Sequence, residues 1–190
     1  MSAGGFHVHG PHDHEVEHAA HSGDALASRI AVMTAIFATI GALYGYMAGA
    51  TQNEALLFKN EAAIKTLEAS DQWNFYQAKS SKQNLAELGA TLTTGDQQAR
   101  YLKEVDRYKG EKEAIMPEAK KLEEQSKAAE EKSEASMHVH HRWAQATTVL
   151  QIAIALAAIT ILTRNKGLQT VAYVTAGGAI IIGTLAFAHI

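Results

Sequence analysis

Residues 29–50 read RIAVMTAIFATIGALYGYMAGA, and from Ile30 to Ala50 no side chain carries a charge. As an α-helix this stretch reaches about 31 Å, close to the ~30 Å hydrocarbon thickness of a bilayer. Two further apolar runs of the same character, 144–163 and 168–190, lie at the C-terminal end. The pattern predicts an all-α membrane protein with three transmembrane helices. Between the first and second of these, it predicts a long antiparallel helical hairpin resembling a coiled coil.

The mean hydropathy of −0.12 conceals this division. Residues 51–143 hold most of the Lys, Glu and Gln, and their shortage of Val and Ile argues against a sheet. A formal net charge of −3 argues against a nucleic-acid partner. The absence of cysteine excludes disulfides, thiol catalysis and Cys-based zinc sites. Ala48-Gly49-Ala50 resembles a small-residue cleavage site. The segment before the run, however, has His, Asp and Glu where a secretory leader has basic residues, so an uncleaved span is expected.

Four segments follow: a His-rich polar tail over 1–23, the first span over 24–50, an extramembrane hairpin over 51–143, and spans two and three over 144–190. Asp24 is suited to cap the first helix. Nothing breaks the helix after Ala50 until TLTTGD, residues 91–96, where Gly95 permits a bend and Asp96 is suited to cap the returning helix. Gly110 weakly interrupts that second arm, and Pro117 predicts a kink.

Two seven-residue rows suggest how the arms meet. Leu57, Ile64, Asp71, Ala78 and Leu85 form one; Tyr101, Tyr108, Ile115, Leu122 and Ala129 form the other. Folding back near residue 93 sets Leu85 opposite Tyr101 and Leu57 opposite Ala129. Trp143 is expected at the water–lipid boundary. The turn Arg164-Asn165-Lys166-Gly167 makes the last two spans antiparallel neighbours. With Arg29 and this turn on the cytoplasmic side, the positive-inside tendency places the N-terminus inside and the hairpin outside.

Gly41, Gly45 and Gly49 lie four apart and line one stripe of the first span. A face without side chains lets another helix approach closely, so these residues, with Gly177, Gly178 and Gly183 of the third span, are candidates for packing within the chain or between copies. Asp71 and Asn74 fall at expected seam positions amid Trp73, Phe75 and Tyr76. They read as setters of register, with Trp73 and Tyr76 as alternative anchors for a protein partner.

The histidines form two clusters. His14, His18 and His21 share a helix face by spacing, as do Glu134, His138 and His141, with His140 adjacent. Imidazole and carboxylate together can bind zinc or another divalent transition metal, and imidazole also titrates near neutrality. No cofactor is otherwise implied. His14-Glu15-Val16-Glu17-His18 matches the HExxH pattern of zinc proteases, but it sits in a Gly-rich tail with no surrounding domain to form a cleft. No nucleophile–base pair, phosphate loop or paired acid appears, so no enzyme is expected. The spans also lack the charges that mark a transport path; their polar residues include Thr34, Thr39, Thr147, Thr148, Gln151 and Thr160.

EHAAHSGD followed by ASR and a span, NEALLFKNEAA, ASDQWNFYQAKSSK, and HHRWAQATTVLQIAIALAAITILTRNK together resemble the bacterial family known as domain of unknown function 4337. The resemblance implies a bacterial inner-membrane protein with this span–hairpin–span–span plan, and it supplies no catalytic residues. The reading that best fits is a homo-oligomeric scaffold in the lipid bilayer whose arms meet one another or a membrane-complex partner. The alternative is a small oligomeric pore in which histidines sense protons or metal.

Overall fold

The computed structural model describes residues 25–188, which form three helices: α1 (Ala25–Leu92), α2 (Asp96–Thr163) and α3 (Lys166–Phe187). No strand occurs among the described residues. Each helix contains a stretch long and apolar enough to cross a membrane. The Asp24 cap and the histidines at 14, 18 and 21 lie outside the described residues.

α1 and α2 are joined through residues 93–95, with Gly95 at φ +65°. That left-handed backbone is the conformation glycine adopts without steric cost. The Gly95 carbonyl already accepts from the Ala99 N–H at 3.1 Å. Asp96 is therefore the first helical residue, not the cap, and its charge sits in the first turn where the helix dipole favours an anion. α2 continues through Gly110 and Pro117 without ending. The last connection is shorter than expected: only Arg164 (φ 51°) and Asn165 lie between helices, and Asn165 caps α3 by accepting from the Gly167 N–H at 2.8 Å.

The chain divides into two compact units, one formed by the segments up to Gln52 and from Met137 onward, the other by Asn53–Ser136. In the first unit three helices meet along seams spaced by alternating threes and fours. α1 supplies Ala27, Ile30, Thr34, Phe37 and Gly41; α2 supplies Trp143, Ala146, Leu150, Ala153, Ala157 and Thr160. α3 supplies only small residues, Ala172, Ala176, Ala179, Gly183 and Ala186. Backbone approach along α3 is thus close, and bulk comes from Phe37, Leu150 and Trp143 on the other two helices. Trp143, expected at the water–lipid boundary, turns its ring toward the neighbouring helices. It is buried with Ala48 and Ala186, its ring centroid 5.2 Å from that of Tyr44.

In the second unit the row on α2 is the expected one. Leu122 and Ala129 are buried, and Tyr101, Tyr108 and Ile115 are half-buried. The row on α1 is different. Ala55, Ala62, Ala69 and Ala90 lie buried, whereas Leu57, Ile64, Asp71, Ala78 and Leu85 are exposed. The physical reason is steric. Alanines let the backbones approach closely enough for Ser133 Oγ to donate to the Ala55 carbonyl at 2.9 Å and Ser126 Oγ to the Ala62 carbonyl at 3.0 Å. Leucine at those positions would hold the helices apart.

Candidate functional site

The predicted packing glycines do not all share one fate. Gly41 is buried, and a Cβ there would lie 3.5 Å from Leu150 Cδ2, an ordinary contact. Gly45 and Gly49 are exposed, with nothing within 4 Å of where a Cβ would stand. Gly177 and Gly178 likewise meet nothing. Gly183 is the glycine of α3 that the seam requires: a Cβ would fall 2.4 Å from Tyr44 Cζ. A similar socket at Gly89 holds the Tyr101 ring, 2.8 Å from such a Cβ.

Ala35, Ala38 and Ala42 precede Gly45 and Gly49 on the same exposed stripe of α1. Thr34, Thr39, Thr147, Thr148 and Thr160 donate their hydroxyls to carbonyls four residues back, at 2.8 to 3.0 Å.

The aromatic stretch of α1 is only partly available. Trp73 Nε1 donates to Glu123 Oε1 at 2.8 Å, and the Trp73 ring meets Tyr76 edge-on at 5.6 Å. The Lys112 ammonium lies 5.3 Å from the Tyr76 ring centroid. Both aromatics are half-buried in the hairpin, whereas Asp71 and Asn74, expected in its seam, face outward with Phe75. An open groove of about 970 Å³ runs beside them, lined by residues including Lys59, Leu67, Trp73, Asn74, Glu123 and Lys127.

Charge is concentrated farther along the hairpin. Lys79 Nζ lies 2.5 Å from Glu111 Oε2, and Arg107 Nε lies 3.5 Å from Glu111 Oε1. The Lys79 ammonium against it holds the Glu111 carboxyl below its ordinary range. Lys59 pairs with Glu130.

Among the described residues no group of three His, Asp or Glu side chains is arranged to hold a metal, and Glu134, His138 and His141 do not form such a group. All three are exposed. His140 is instead a structural residue: its Nδ1 donates to the Ala48 carbonyl at 2.8 Å, which fixes the tautomer.

The family described as Domain of unknown function (DUF4337) matches residues 26–189. The chain belongs to that family. The match begins after the His-rich tail, so the HExxH pattern of the DUF4337 chain lies outside it. No curated protein and no solved structure matches the chain.

Sequence reasoning missed three features of this DUF4337 protein: the alanine seam and the two tyrosine sockets. The alanine row was legible as a strict seven-residue repeat at 48, 55, 62 and 69. It was masked by a parallel row of leucines whose hydrophobicity is larger. The sockets carry no sequence mark beyond a glycine and a distant tyrosine.

Proposed function

We propose that this DUF4337 protein is a multi-pass membrane protein acting as a homo-oligomeric scaffold rather than an enzyme, with the hairpin 53–136 as its water-exposed arm. The supporting observation is the uncovered stripe Ala38, Ala42, Gly45 and Gly49 on α1. In lipid there is no hydrophobic drive between helices, and close backbone approach across small residues is what holds them together. The bilayer assignment draws on exposure as well: most of each apolar stretch is left uncovered, with Val32, Ile36, Leu43, Ile159 and Val174 facing outward. Such surfaces suit hydrocarbon. The charge bias of Arg29, Arg164 and Lys166 favours a cytoplasmic N-terminus and a periplasmic arm in a bacterial inner membrane. A scaffold is preferred to a pore because the intramembrane threonines direct their hydroxyls at their own helices.

Carbonate washing of membranes tests insertion, and native mass measurement in mild detergent tests association. Retention in the membrane with an oligomeric mass is expected. Gly45→Leu should lower that mass at unchanged helicity. Extraction by carbonate, or a monomer in both proteins, would overturn the reading.

A further inference from the structure

α1 has a second seven-residue pattern that the described residues leave uncovered. Within the arm, Leu57, Ile64, Leu85 and Leu92 recur at one position, with Leu67 and Leu88 three residues after it in the repeat. These six are between 55% and 76% exposed. At about 103° per residue in a heptad, this row lies roughly 150° around the helix from the alanine seam. Single exposed leucines are ordinary; six in one phase of 3.5 residues make a seam for another helix.

We infer that this row pairs with the same row of a second copy, the two α1 arms parallel and in register. The inference rests on the membrane scaffold reading, because copies inserted in one bilayer with one topology send their arms in the same direction. Three observations select a copy over an unrelated helix. Asn60 and Asn74 interrupt the second row, as does Ser81, and in a parallel copy each faces itself, so an Asn amide that both donates and accepts meets a matching amide. An apolar partner would leave both amides buried without hydrogen bonds.

The flanks agree. Leu56, Ala63, Ser70, Gln77 and Asn84 on one side carry no charge, so Glu61, Glu68 and Lys82 on the other meet no like charge across the pair. Finally, a seam from 57 to 92 needs a partner helix of the same length, which a copy supplies. Asp71 is the one discordant position: it faces its own counterpart and weakens the pair.

The test uses the full chain in liposomes. Because the protein has no cysteine, an engineered thiol has no competitor. Ile64→Cys places thiols across the pair; Glu113→Cys, on the exposed side of α2, is the comparison. Under mild oxidation Ile64→Cys should form disulfide dimers at least about tenfold faster, since paired arms raise the local thiol concentration. Asp71→Leu in that background should speed coupling, and Leu57→Gln with Leu67→Gln should slow it at unchanged helicity.

Equal rates for Ile64→Cys and Glu113→Cys in carbonate-resistant, oligomeric protein overturn this inference and leave the scaffold reading intact. Preferential coupling of Ile64→Cys to Ser81→Cys in mixed liposomes also overturns it, since that is the antiparallel match. Protein stripped by carbonate overturns both.

Discussion

At the scale of single residues, glycines of similar sequence context have opposite meanings. Gly183→Ala would place a methyl group against the Tyr44 ring and push it away from Trp143. Such overpacking costs on the order of 1–3 kcal/mol, and thermal unfolding in detergent should show it as a lower midpoint. Gly177→Ala meets nothing and improves helix propensity by about 0.8–1 kcal/mol, so its midpoint should hold or rise. This difference was not legible in the sequence, because both glycines sit in one apolar run and only the position of a distant tyrosine separates them. Glu111 is a second such case. Its carboxyl titrates below the ordinary range in the folded arm, so the ion pair with Lys79 stabilises the arm above that range and the contribution is lost as pH falls through it. Unfolding midpoints of the natural protein should therefore drop on acidification more than those of Glu111→Gln, measured across the carboxylate range. Parallel curves would remove Glu111 from the account.

At the scale of elements, most of the architecture could be read directly. An uncharged run of bilayer length, a turn containing Gly95 and a short polar connection before α3 are local properties, and local properties are what a sequence states openly. Which face of α1 meets α2 is not local. Ala55, Ala62 and Ala69 bury little surface each, while Leu57 and Ile64 would gain about 1.5–3 kcal/mol apiece on burial, so hydrophobicity alone points to the wrong face. Close approach, marked by the serine hydroxyls that reach carbonyls of the other helix, decides it. Pro117, where the sequence predicts a kink, sits inside α2 without ending it. Pro117 has no N–H to donate to the carbonyl of Glu113, and interior proline costs ~3 kcal/mol relative to alanine. Pro117→Ala should raise the unfolding midpoint of the arm, read by circular dichroism. A fall would mean that the proline shapes the helix for a partner.

At the scale of the whole molecule, α1 carries three faces. One is closed by α2 and α3, one is a small-residue stripe in the apolar segment, and one is a leucine row in the arm. Gly45→Leu and Ile64→Cys examine the second and third separately, so an assembly built on one and not the other would be recognised. Repeats of seven have a hazard of their own. Sequences that recur so evenly, lined with alanine, offer little friction to a helix sliding by a whole repeat, and slipped states would lie close in energy. Each compact unit contains an obstacle to that motion among its described residues: Tyr101 seated in the notch of Gly89, and Tyr44 in that of Gly183. A ring that fits at one level meets a side chain one repeat away, and the two tyrosines thereby act as pawls in an otherwise smooth ratchet.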